Sequence, residues 1–235
     1  MIQLNIETTI FNFLKRFAFF LCYMIKIKNK MILRTPSLAA IFLLISFVNE
    51  NDWTKSLDKA DIVIYTRSVE SSPFHEFLAE TEMTGTIDKF REIITDFERY
   101  PEWLPDCKSA EIIENPDSND FTYHMKIKVP FPFSNRDIIQ QIVLSESGNT
   151  LLVEIISQPK KMKKNKDFVR METADGRWII DKITDEKISI KFQYLADPGG
   201  GVPTWLVNTF IVKNPHKTLQ NLREMICLLY TSPSP

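Results

Sequence analysis

This sequence has little of what most catalytic and cross-linked domains depend on. Its 235 residues include three cysteines, Cys22, Cys107 and Cys227, and their spacing indicates neither a disulfide framework nor a zinc site. There is no phosphate-cradling glycine loop, no nucleophile elbow and no HExxH pair. The histidines, His75, His124 and His216, lie far apart, and each reads as a surface side chain. Asp96, Glu98 and Glu102 read as a solvated helix end rather than an acid cluster. The formal net charge of -1 argues against a nucleic-acid partner. No cofactor and no metal site is expected.

Long apolar runs are also missing. Leu38 to Val48, preceded by Arg34, is too short for an ordinary spanning helix but has the length of a signal-peptide core. It predicts export from a start at Met31, although Ser46-Phe47-Val48 lacks a small-x-small cleavage pattern. A second apolar patch, Phe17 to Ile25, precedes Lys26, Lys28 and Lys30, and reads either as a membrane anchor or as residues ahead of the true start. Residues 1–48 are therefore expected to be a signal or anchor-like extension. Residues 49–227 form one domain of ordinary size, and residues 228–235 an unstructured tail. Export implies a secreted, periplasmic or lumenal protein, with a membrane-anchored or cytoplasmic one as the alternative.

What the sequence does have is alternation. Phe121, Tyr123, Met125, Ile127 and Val129 fall on one face of a strand, with Thr122, His124, Lys126 and Lys128 on the wet face. Ile188, Ile190, Phe192, Tyr194 and Ala196 repeat the pattern. Further strands are expected over 108–113, 136–145, 151–158 and 168–182, separated by turn signals such as Asn115-Pro116-Asp117 and Ser147-Gly148-Asn149. Two more, over 61–68 and 75–83, flank Ser71-Ser72-Pro73.

Ile87, Phe90, Ile94 and Phe97 have helical spacing, with Thr86 as N-cap and Asp88 in the first turn. Tyr100-Pro101 ends or breaks that helix. A last helix is predicted from Pro203 towards Ile226, kinked or broken near Asn214 because Pro215 has no amide for the carbonyl of Ile211.

In an antiparallel meander every second connection lies at the same end of the sheet. The loops 129–135, 158–167 and 197–203 should therefore share one rim. It would carry Phe131 and Phe133 between prolines and the lysines Lys160, Lys161, Lys163, Lys164 and Lys166. The lysines read either as a solvated hairpin tip or as a contact for anionic lipid headgroups. The phenylalanines read as an exposed wedge or as core beneath the last helix. A curved sheet around a long helix, with Tyr123, Met125, Met171, Trp178 and Tyr194 pointing inward, either fills its centre or leaves a cavity.

The order strand pair, helix, six-stranded meander and long last helix resembles the START (steroidogenic-acute-regulatory-related lipid-transfer) domain of the helix-grip superfamily, especially its stand-alone bacterial or algal members. The likeness rests on Tyr100 to Cys107, Pro132 to Asp137, Ala174 to Trp178, Ala196 to Asn208 and Pro215 to Arg223. It extends from Trp53 to Ile226, with Trp53 to Thr66 similar to the family's opening helix and strand.

The resemblance implies an α+β helix-grip fold, a curved antiparallel sheet wrapped around a long C-terminal helix. It also implies a lipid tunnel lined by Tyr123, Met125, Met171, Trp178 and Tyr194, and a gate formed by Phe131, Phe133, Trp205 and Phe210. Arg136 matches a cavity arginine that pairs with an acidic residue in sterol-binding members. Met125 stands at that acidic position here, which favours a phospholipid or other anionic lipid over a sterol. The expected function is non-catalytic binding and transfer of a hydrophobic lipid by a monomer that touches a membrane transiently. The alternatives are a polyketide cyclase or aromatase-like enzyme of the same superfamily, or a ubiquinone- or lipid-binding assembly helper.

Overall fold

A computed structural model describes residues 53–231 of the chain. The apolar stretches 17–25 and 38–48, Cys22 and the last four residues of the expected tail lie outside the described residues.

The described residues open with three antiparallel strands: β1, Thr54–Lys59; β2, Ile62–Val69; and β3, Ser72–Thr84. The opening helix implied by the resemblance is not found over Trp53 to Lys59. Ala60 and Asp61 both take positive φ, 55 and 58°, which is the tight hairpin geometry that returns β1 onto β2 as a neighbour.

Helix α1, Ile87–Thr95, is capped as expected. The Thr86 hydroxyl accepts from the Lys89 amide at 3.2 Å, and Phe90, Ile93 and Ile94 are buried. The chain then passes through a 3-10 turn, Phe97–Arg99, into the short helix α2, Tyr100–Trp103, where Pro101 sits in the first turn and lacks only an amide that would be unpaired anyway. The Tyr100 hydroxyl donates to the Ile94 carbonyl at 2.7 Å and locks the two helices together.

The meander follows: β4, Cys107–Asp117; β5, Asp120–Ile127; β6, Arg136–Ser147; β7, Thr150–Ser157; β9, Thr173–Thr184; and β10, Lys187–Asp197. A two-residue strand, β8, Val169–Arg170, pairs in parallel with β6, so the single strand expected over 168–182 is split at Met171 and Glu172. Asn115, Pro116 and Asp117 belong to β4, with the turn one step later. The sheet order is β1-β2-β3-β10-β9-β7-β6-β5-β4, all antiparallel along that path.

The last helix, α3, Thr204–Thr231, is unbroken at Pro215 and runs four residues past 227 into the expected tail. Its C-terminal half is pinned. Leu219, Leu222, Met225 and Ile226 are buried, Asn221 donates to the Trp103 carbonyl at 3.0 Å, and Arg223 donates to the Ala60 carbonyl and the Thr81 hydroxyl at 3.1 and 3.0 Å. This anchorage carries the helix through a residue that costs about 3 kcal/mol in a helix interior. Before Pro215 the helix has, among the described residues, one side-chain bond to the sheet side, Asn214 to Asp106 at 3.4 Å, and just after Pro215 the His216 Nε2 meets the Lys59 carbonyl oxygen at 3.2 Å.

Candidate functional site

The three loops meet on one rim. Arg136 starts β6 there, and its guanidinium donates to the carbonyl of Ser134 in the first loop and to those of Pro198 (3.1 Å) and Gly199 (3.0 Å) in the third. Gly199, Gly200 and Gly201 have φ of 60, 63 and 71°, and a Cβ on Gly200 would come within 3.0 Å of the Arg136 guanidinium. Glycine is thus required where the loop crosses the arginine.

Asp137, next to Arg136 in the chain, is not its partner. Asp137 faces the opposite side of β6 and is bound by Arg170 at 2.6 and 3.0 Å, with His124 Nε2 at 3.0 Å. His124 is therefore not a surface histidine, and both it and Thr122 are buried on the face expected to be wet. Arg170 also donates to the carbonyls of Pro159 and Met162, which roots the lysine loop on this outer face. Burial pushes the Asp137 carboxyl up, but the bonds from Arg170 and His124 outweigh it and hold the group below its ordinary value.

Behind the rim is a cavity of about 270 Å³ between the sheet, α2 and the N-terminal half of α3. Tyr123, Met125, Arg136, Met171, Trp178 and Tyr194 line it, and so does Phe210, one of the four residues assigned to the gate. Phe131, Phe133 and Trp205 do not. Phe131 is 96% exposed and Trp205 71% exposed, so neither is core beneath the last helix, and Phe133 is half-buried. Part of the centre is filled by aromatic packing, with Trp178 stacked on Phe192 at 3.7 Å between centroids and 3° between planes.

Arg136 is 1% exposed and does not reach solvent. Three neutral carbonyls supply the partners that a missing carboxylate would otherwise leave wanting, although burial still lowers the pKa of the guanidinium. The pull towards an anionic ligand is correspondingly reduced.

Gln140 is a site residue that sequence pattern missed. It is buried, accepts from the Tyr123 hydroxyl at 2.7 Å, and donates to the Ala174 carbonyl and to the Tyr194 hydroxyl oxygen at 2.5 and 2.9 Å. The signal was available, since Arg136, Ile138, Gln140 and Ile142 occupy successive inward positions of β6 and one is an uncharged amide. Desolvation holds the Tyr123 and Tyr194 hydroxyls well above their ordinary values, so neither gives up its proton near neutral pH. Burial likewise pushes the Cys107 thiol in the cavity wall up to about 11.

All five lysines of the second loop are exposed. Lys161 pairs with Glu114 and Lys164 with Glu172, while Lys160, Lys163 and Lys166 have no such partner among the described residues. Among the described residues there is no cluster of His, Cys, Asp and Glu able to hold a metal ion, and no helix long and apolar enough to cross a membrane.

A model of the START domain family matches residues 37–226. The chain is 28% identical to the crystal structure of a STAR-related lipid transfer protein, fragment 25–204, from Xanthomonas axonopodis; the superposition covers 75% of this chain and 99% of that one with a TM-score of 0.70. It is 24% identical over 187 residues to a Pseudomonas aeruginosa protein named as uncharacterised, covering 79% of this chain and 92% of the relative. It is also 24% identical over 164 residues to the phosphatidylcholine transfer protein of Rattus norvegicus, covering 67% and 75%.

Proposed function

The chain belongs to the START domain family, and from that premise we propose that it is a non-catalytic carrier that holds a hydrophobic lipid in its cavity and exchanges it at a membrane. The observation that carries this reading is an apolar cavity beneath a rim whose Phe131 and Trp205 face water. Exposed aromatics at a cavity mouth gain from an apolar environment, by roughly 25 cal/mol for each square ångström removed from water. The unpaired lysines of the second loop favour an anionic headgroup layer. The names of the Xanthomonas and rat relatives, both transfer proteins, point the same way.

The volume sets a condition on the ligand. About 270 Å³ lies just under the roughly 300 to 1,000 Å³ of typical ligand pockets. A two-chain lipid therefore enters only if the cavity widens. The lightly held N-terminal half of α3 is the element free to swing, with Pro215 as its hinge. Deep proton-handling groups, which a cyclase would need, are represented by tyrosines that hold their protons, and this supports a carrier over an enzyme.

The test is transfer of labelled lipid between vesicles. Changing Phe131 and Phe133 to Ser should slow transfer severalfold while equilibrium binding stays within twofold. Equal loss of both would remove the gate from this reading, and no lipid binding by the unaltered protein would remove the carrier. The proposal includes action as a monomer and export by the segment 38–48, which N-terminal sequencing of the mature protein would test.

A further inference from the structure

The polar groups around the cavity are unevenly used. The carbonyl of Ala174 can only accept, which fixes the end of Gln140 facing it as the amide nitrogen. Gln140 then directs its protons to Ala174 and Tyr194, and receives the proton of Tyr123 on its own oxygen. Tyr194 therefore acts as an acceptor in this chain, and its own hydroxyl proton has no acceptor among the described residues.

Trp103 is 1% exposed, lines the same cavity, and its indole N–H has no hydrogen-bond partner. An unpaired buried donor costs free energy that a ligand can recover. Arg136 at the mouth has five N–H groups, of which three meet carbonyls. Every one of these unused positions is a donor.

Groups that would receive a proton are differently placed: in the depth of the cavity the Tyr123 oxygen keeps unused lone pairs but its hydroxyl is already bonded to Gln140, the free Oδ1 of Asn214 lies at the mouth, and the unpaired buried Oδ1 of Asn208 lies outside the lining. Asp106 supplies the one carboxylate of the lining, and it is exposed at the mouth with Asn214 donating to it. The Thr218 hydroxyl, also in the lining, can turn either way. The oxygen of Gln140 receives the Tyr123 proton on one of its two lone pairs.

We infer that the cavity selects a lipid whose buried polar group only accepts hydrogen bonds, an ester or a ketone, and disfavours ligands that must bury an N–H or O–H. The inference rests on the carrier reading above and names the class of ligand for the same cavity. An ester carbonyl meets Tyr194 or Trp103 without bringing a proton that lacks a destination. An amide of the same shape brings a proton and leaves it to the spare lone pairs of oxygens that are already bonded, while Trp103 and Tyr194 still need an acceptor.

Methyl dodecanoate and N-methyl dodecanamide differ by one atom, an ester oxygen against an N–H, and serve as the probes, with dodecane as the apolar control. Affinities are measured by titration calorimetry on the unaltered protein and on the near-isosteric Tyr194→Phe, each divided by the probe's octanol–water partition coefficient. The expected result is ester binding about tenfold tighter than amide binding after that correction. In Tyr194→Phe the ester should lose about fivefold while dodecane is unchanged.

Equal or tighter amide binding overturns the inference and leaves the carrier reading standing. An ester affinity indifferent to Tyr194→Phe, and also to Trp103→Phe in protein shown to be folded, overturns it too. Failure of all three probes to bind, in a protein that also takes up no membrane lipid, overturns the carrier reading and the inference together.

Discussion

The guanidinium of Arg170 grips both carboxylate oxygens of Asp137, at 2.6 and 3.0 Å, on the side of β6 that faces away from the cavity. Both side chains are 1% exposed. Asp137→Asn leaves the guanidinium buried without its counter-charge, and a loss of about 3 kcal/mol is expected. The pH dependence has a definite sign. A carboxyl held low in the folded state contributes fully above its unfolded value of about 3.9, and that contribution is lost as pH falls through the lower folded value. Urea unfolding should show a constant gap between the two proteins from about pH 7 to 5, closing below about pH 4. A gap that widened in acid would contradict this arrangement.

That pair shows where sequence reasoning reached its limit. Tyr123, Met125, Trp178 and Tyr194 were legible as inward-facing residues because a period of two fixes which face a side chain takes, whereas alternation leaves open whether the space they face is filled or hollow. The cap of α1 and the common rim of the three loops were legible for similarly local reasons. Asp137 and Arg170 lie 33 residues apart and meet only because β8 pairs with β6. No spacing rule reveals that pairing, so alternation alone runs β8 into β9 and places His124 on the surface. Gly176 is another case. A Cβ there would stand 2.3 Å from the Gln193 carbonyl oxygen and 2.6 Å from the Tyr194 ring, a constraint imposed wholly by the neighbouring strand.

Gln140 holds Tyr123, Tyr194 and the Ala174 carbonyl in one network. Gln140→Leu keeps the volume but strands a phenol and a carbonyl in an apolar wall. Unsatisfied buried groups cost about 1 to 3 kcal/mol each, so a loss of about 2 to 4 kcal/mol is expected in equilibrium unfolding. Gln140→Glu would not restore it, because a carboxylate cannot donate to Ala174. A neutral outcome for Gln140→Leu would mean that water or an alternative rotamer satisfies these groups.

Pro215 divides α3 into a held half and a loose one. Pro215→Ala restores an amide for the Ile211 carbonyl and removes the ring from the helix interior. Helix propensity alone favours the change by up to about 3 kcal/mol, offset in part by lost burial of the ring. The expected outcome is a protein at least as stable, with slower lipid uptake because the helix bends less readily. Faster uptake with unchanged stability would place the moving element elsewhere on the rim.

Arg136 ties the loop before β6 to the loop before α3 through the carbonyls of Ser134, Pro198 and Gly199. Lysine is a single compact charge and cannot reach carbonyls on both loops with a fixed fork. Arg136→Lys should therefore behave almost as poorly as Arg136→Met in holding the rim closed. Hydrogen exchange is the direct measurement, with amides of residues 199–202 and 204–207 expected to exchange about tenfold faster in both variants while those of β9 stay protected. If lysine restored protection that methionine lost, charge at the mouth would matter more than the bridge, and an anionic headgroup would become the better account of why an arginine is buried there.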